Sequence, residues 1–212
     1  MAGDWRAQRR SGMAAIAAAS LVASLLWFAI RFCAPPLDGM EDLSGRMVFT
    51  LKCFCLAVLF CLVTGVEAVA HERLGSPAFD PLDPHSTRRL EVNQRYLQNT
   101  VEQIIVLAAA LFGLAAYSED GDSIRSVLAT TIVWILARFA FWIGYHRSAA
   151  LRGLGAPGML VTMLALLYVA ARIGADVAGS IGSAVVIGAF LLFEAVLFWG
   201  TRSPESIGEE AL

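Results

Sequence analysis

The chain has 212 residues, of which 58% are apolar or aromatic and only 16% are Asp, Glu, Lys or Arg, and its mean hydropathy is +0.65. An ordinary soluble domain holds about 45–50% apolar and about 25% charged residues, so the composition excludes a disordered chain and argues against a water-soluble enzyme. The formal net charge of -2 gives no general attraction to nucleic acid.

A helix needs about 20 predominantly apolar residues to cross a bilayer core. Met13–Ile30 carries no charge and predicts a first crossing. Arg6, Arg9 and Arg10 ahead of it are what a signal peptide would show. The run is long for one, however, and Arg31–Pro35 lacks a small-x-small cleavage pattern, so an anchored helix is expected. Met47–Ala70 predicts a second crossing, with Lys52 near one end and Glu67 near the other. Leu97–Tyr117 and Ser126–Tyr145 predict a third and a fourth, containing Glu102 and Arg138 respectively. Gly153–Ala171 and Val177–Trp199 predict a fifth and a sixth, the last with Glu194 inside it. The small-residue run from Gly174 to Gly188 reads as close helix packing, and the tryptophans mostly flank span ends, as interfacial anchors do.

Basic residues set orientation. With the N-terminus inside, the inner regions hold ten (Arg6, Arg9, Arg10, Arg73, Arg88, Arg89, Arg95, Arg147, Arg152 and Arg202) and the outer regions five (Arg31, Arg46, Lys52, Arg125 and Arg172). This predicts a multi-pass protein with both termini in the cytoplasm and the acidic turn Glu119–Asp122 facing outward. The longest loop, from His71 to about Glu91, contains Pro77, Pro81 and Pro84 and is expected to be irregular, ending at Ser86 or Thr87 as the N-cap of the next helix. Cys33, Cys53, Cys55 and Cys61 all fall in or beside apolar stretches and read as packing residues. His85 and His146 have no companions at metal-ligand spacing, so no metal site is expected. Glu67 and His71, four apart, predict an interfacial ion pair.

Charge inside a membrane span is costly, at roughly 2.5–3.5 kcal/mol per residue, and therefore points to function. Arg95, Asn99 and Glu102 stand at i, i+4 and i+7 and share one helical face, with Gln98 beside them. Arg138, Phe141 and Tyr145 share a face of the next helix, and Arg147, Ser148 and Arg152 follow at its end. Arginines grip carboxylates through paired hydrogen bonds, and a buried glutamate suits an amine or one of those arginines. A zwitterionic, multiply anionic ligand complements this set. The alternative is that Arg95, Glu102 and Arg138 form ion pairs that neutralise one another and fix helix register.

Arg95-Tyr96-Leu97-Gln98-Asn99-Thr100-Val101-Glu102, followed by Arg138-Phe139-Ala140-Phe141-Trp142-Ile143-Gly144-Tyr145 and a distal Arg152, resembles the MAPEG family, the membrane-associated proteins of eicosanoid and glutathione metabolism, in its bacterial-type form. The likeness covers about residues 47–172. It implies an all-α integral membrane bundle with a four-helix core over 47–172. One extra transmembrane helix stands at each end, within 1–46 and 173–212. It also implies a homotrimer holding glutathione as co-substrate between subunits near the cytoplasmic face. By this resemblance Arg95, Asn99, Glu102, Arg138 and Tyr145 are the glutathione contacts and Arg152 the catalytic residue that stabilises its thiolate, with Arg73 closing the site from the loop. The implied activity is that of a glutathione transferase or peroxidase acting on a lipophilic electrophile from the bilayer. Two positions depart from the family pattern: Phe141 stands where many members carry a tyrosine, and Ala140 where some carry a basic residue. The rival reading is a non-catalytic scaffold or lipid-binding relative, and a small transporter is a third.

Overall fold

The computed structural model describes residues 2–80, 86–148 and 150–200, and every regular element among them is helical. Helix α1 spans Ala2–Cys33, α2 Leu43–Leu74, α3 Arg88–Ala116, α4 Arg125–Arg147 and α5 Ala156–Gly200, with a tight 3₁₀ turn at Leu151–Gly155 between the last two. Among the described residues, five helical stretches are long and apolar enough to cross a membrane. With the composition, they define an all-α, multi-pass integral membrane protein.

The helices outrun the apolar segments because polar flanking residues keep the helical hydrogen bonding up to a cap. Asp42 caps α2, its carboxylate accepting from Gly45 N at 2.9 Å. Thr87, not Ser86, caps α3, accepting from Leu90 N at 3.0 Å, so this helix begins nine residues before the apolar run at Leu97. Pro81 and Pro84 of the preceding loop lie outside the described residues.

Where the sequence predicts a fifth and a sixth crossing, there is one helical stretch, Leu151–Gly200, broken at Ala178 (φ -142°, ψ 25°) and Gly179 (φ 60°, ψ -146°). Glycine enters this left-handed region without the penalty a Cβ would bring. Past the break the chain turns back on itself. Ser183 Oγ donates to Ala171 O at 2.8 Å, and a Cβ on Gly174 would lie 2.6 Å from Gly182 O. At about 1.5 Å rise per residue, positions 12 apart could not meet along a straight helix. The small residues of this run therefore form the seam of a helical hairpin.

The chain divides into two compact units, Met1–Leu166 and Leu167–Leu212. In the first, α3 and α4 supply most of the core, including Tyr96, Leu107, Leu111, Val127 and Trp134. Helix α1 packs on α4, where Trp27 Nε1 donates to Thr130 Oγ1 at 3.1 Å. Helix α2 widens into a π turn at Val58–Val63, and the Tyr96 hydroxyl donates to Cys61 O there, at 3.0 Å. Cys53 and Cys61 pack inside, whereas Cys33 and Cys55 are exposed.

Three of the basic residues assigned to the outer regions staple one end of this unit. Arg46 Nη1 donates to Met40 O, Glu41 O and Glu119 O at 3.0–3.1 Å. Arg31 pairs with Asp122 at 3.0 Å, and the buried Arg125 binds both Ala34 O and the Asp122 carboxylate. Leu37 N donates to Gly121 O at 3.0 Å, completing the join between residues 34–42 and the acidic turn.

Replacing Arg46 with Met strips three carbonyls of their donor and is expected to cost about 1–3 kcal/mol of unfolding free energy in detergent; an unchanged unfolding midpoint would count against the staple. The same end carries a pH dependence. Hydrogen bonds from the Ser44 hydroxyl and Gly45 N hold the exposed Asp42 carboxyl below its ordinary value of 3.8, and those from Ser123 do the same for Asp120. Both folded values lie below the unfolded ones, so the stabilisation is complete above 3.8 and is lost as pH falls through the folded values. Taking the protein from about pH 5 to about pH 3 should lower its midpoint, with a shallower fall in Asp42→Asn and Asp120→Asn.

Candidate functional site

The site is built on the facing surfaces of α3 and α4. Arg138, nine residues from the end of α4, is fully buried and makes no ion pair among the described residues. Its Nη1 donates to Asn99 Oδ1 at 2.8 Å, and its Nη2 donates to Thr100 Oγ1 at 2.9 Å and to Tyr96 O at 3.5 Å. The guanidinium also lies over two rings, 5.1 Å from the Tyr96 centroid and 4.7 Å from that of Phe141. An interior arginine is tolerable only when its donors are satisfied. Here a primary amide, a hydroxyl and a carbonyl accept three hydrogen bonds from its five N–H groups, while Nε has no partner.

Asn99 is committed further, because Gln103 Nε2 donates to the same Oδ1 at 3.1 Å. Arg95 Nη1 reaches Gln98 Oε1 at 3.4 Å, and Gln98 Nε2 reaches Glu102 Oε1 at 3.3 Å, an exposed polar ladder up the outside of α3. Among the described residues, Arg95, Glu102 and Arg138 make no ion pair with one another. The neutralising alternative therefore does not describe this fold: Asn99 takes the guanidinium of Arg138, and Gln98 stands between Arg95 and Glu102.

A cavity of about 460 Å³ opens beside this group, lined by all six residues singled out in the sequence, namely Arg95, Asn99, Glu102, Arg138, Tyr145 and Arg152. Phe141, Gly155 and Ala156 give it an apolar wall. A second cavity, of about 750 Å³, adjoins it through Arg95, Gln98 and Tyr145 and runs out past Arg88 and Glu91. Arg152 sits exposed on the 3₁₀ turn that follows α4. The set offers guanidiniums for carboxylates or a thiolate, a carboxylate for an ammonium, an amide and a phenol for peptide groups, and an apolar wall.

Some expected contacts are not made. Arg73 lines neither cavity. Glu67 and His71 are exposed and form no ion pair among the described residues. The neighbouring Glu72 faces α3 instead, where it accepts from Thr87 Oγ1 at 2.9 Å and meets Arg89 Nε at 3.3 Å. His85 lies outside the described residues.

Other residues were not anticipated. Asn93 is buried, donates to Ala68 O at 3.2 Å, and its Oδ1 takes both Trp142 Nε1 at 2.9 Å and His146 Nε2 at 3.0 Å. It thereby joins α2, α3 and α4 directly behind the site. Tyr96 stacks on Trp142, with centroids 4.8 Å apart, and its ring packs on Gly65 of α2. The sequence carries no distinct signal for Asn93, because it precedes the apolar run at Leu97 and stands among polar residues.

A model of the MAPEG family matches residues 47–175. The chain belongs to that family of membrane-associated proteins in eicosanoid and glutathione metabolism. Among named proteins it is similar to transmembrane protein 79 of Mus musculus, with 27% identity over 160 residues. The matched part is 71% of this chain and 39% of that protein, so the chain spans less than half of its relative's length. No solved structure matches the chain.

Asn93→Ala leaves the Trp142 and His146 donors unmet, and each such group costs about 1–3 kcal/mol. A drop of that order in unfolding free energy is expected, and a variant as stable as the parent would show that the node does not hold the helices together.

Proposed function

We propose that the protein binds glutathione in the cavity between α3 and α4 and transfers its thiol to, or uses it to reduce, a lipophilic electrophile or hydroperoxide from the bilayer. The observation that carries this reading is the convergence of Arg95, Asn99, Glu102, Arg138, Tyr145 and Arg152 on one cavity of about 460 Å³. That volume falls within the roughly 300–1,000 Å³ of small-molecule sites. Glutathione has two carboxylates for arginines and an α-ammonium for Glu102. Its amide groups suit Asn99 and Tyr145, with Arg138 holding Asn99 in place from behind.

In the transfer reaction the thiol loses its proton to solvent, the sulfur forms a bond to the electrophilic carbon, and the leaving group departs with the bonding pair. Arg152, at the mouth of the cavity, holds the sulfur as thiolate, because a neighbouring cation lowers a thiol pKa. The exposed ladder Arg95–Gln98–Glu102 lies within a membrane-spanning helix, flanked by exposed Val101 and Ile105. Lipid is a poor neighbour for such groups. A second copy of the chain covering this face accords with a homotrimer and with ligand held between subunits, on the cytoplasmic side by the distribution of basic residues.

Glutathione should raise the unfolding temperature of the purified protein, and Arg95→Ala and Glu102→Ala should weaken that effect. Arg152→Ala should lower kcat by about 10²-fold or more while changing glutathione affinity far less. Absence of binding sinks the reading. Phe141, which brings a ring and no hydroxyl to the cavity, favours a second reading of a non-catalytic, ligand- or lipid-binding scaffold; glutathione that binds without ionising at neutral pH would decide for it.

A further inference from the structure

The turn that carries Arg152 is held from two sides. On the α4 side, Gly144 lies against Leu151 O and Gly155 against Phe141, both too close to admit a Cβ, and Ser148 Oγ accepts from Leu151 N at 3.2 Å. On the other side lies α1. A Cβ on Gly153 would stand 2.9 Å from Ile16 Cγ1 and 3.1 Å from Gly12 O, and one on Gly12 would stand 3.7 Å from Ala150 O. Helix α1 is itself fixed at its far end by the Trp27–Thr130 hydrogen bond and the Arg31–Asp122 ion pair. It also lies wholly outside the residues that match the family, 47–175.

We propose that α1 is a positioning element for the reaction: its Gly12–Ile16 surface seats Gly153 and thereby fixes where the guanidinium of Arg152 stands relative to the ligand sulfur. The inference rests on the glutathione reading above. Gly12 and Ile16 stand outside the cavity lining and act only through the turn, and the Cα hydrogen of Gly153 that a Cβ would replace faces them. A five-residue 3₁₀ turn has little hydrogen bonding of its own. Its placement therefore follows from the two surfaces that clamp it, and the guanidinium moves if either is displaced. The residues that hold the rest of the ligand, Arg95, Asn99 and Glu102, stand on α3 and are untouched by such a shift.

The test is the pH at which bound glutathione ionises, followed by thiolate absorbance in the ultraviolet, in the wild type, Gly153→Ala, Ile16→Ala and the double variant. Gly153→Ala is expected to raise that pH by about one unit, lowering the ratio of thiolate to thiol roughly tenfold at a given pH, while KM for glutathione changes by less than about threefold. Gly153→Ala/Ile16→Ala removes the closer contact and keeps the 3.1 Å one to Gly12 O, so it should recover part of the loss. Ile16→Ala alone, which creates no clash, should speed amide exchange in residues 150–155. A Gly153→Ala protein with the wild-type ionisation overturns the inference, as does an Ile16→Ala protein with unchanged exchange in the turn. A wild type in which bound glutathione never ionises at neutral pH is a different failure: it removes the parent reading and this inference with it.

Discussion

The buried guanidinium of Arg138 governs the arrangement of the bundle. A guanidinium stays charged under any condition a protein survives, and moving a charge from water into a low-dielectric interior costs several kcal/mol unless its donors are met. Among the described residues no carboxylate pairs with it. Asn99, Thr100 and the Tyr96 carbonyl meet its donors instead, and the cation lies against the neighbouring rings of Tyr96 and Phe141. All three acceptors come from five consecutive residues of α3, so a one-turn slip of α4 against α3 would leave the charge without partners. Register between the two central helices is fixed by this requirement.

The rest of the site is arranged around that constraint. Tyr96, pinned under the cation, sends its hydroxyl to the π turn of α2, where the wider winding presents Cys61 O to it. Trp142 stacks behind Tyr96 and donates to Asn93, which also reaches α2 and His146. Three helices are thus tied behind the cavity by polar contacts that lipid cannot replace. The groups left facing the cavity, Arg95, Glu102, Tyr145 and Arg152, are those whose hydrogen bonding is incomplete or weak within one chain. A scaffold satisfied internally and a cavity wall left unsatisfied is the division of labour expected of a preformed binding site.

How much of this was legible in the sequence differed between its parts. The helices were, because an apolar run of the right length has few other solutions in a membrane. The residues around the cavity were too, because costly charges at helical spacing stand out from an apolar background. Their partners were not. Asn99 as the acceptor for Arg138, in place of Glu102, depends on side-chain reach between two helices, which spacing along one helix does not specify. Asn93 sits in a polar stretch where nothing distinguishes a buried amide from a solvated one. The sequence divides the last apolar stretch at 172–176, but the position of the break at Ala178–Gly179 was hidden: its glycines match those that line ordinary helix contacts, and only the backbone reveals that Gly174 and Gly182 face each other across a hairpin. Arg31, Arg46 and Arg125 served as orientation signals in the sequence, yet in the fold they are tied to carbonyls and to Asp122.

A structure of the detergent-solubilised protein saturated with glutathione is the most direct test of the account. It should show the ligand in the cavity between α3 and α4, carboxylates on arginines, the ammonium at Glu102 and the sulfur within reach of Arg152, with Arg138 still bound to Asn99 and Thr100. An empty cavity at saturation, or glutathione bound on a different surface, would contradict it.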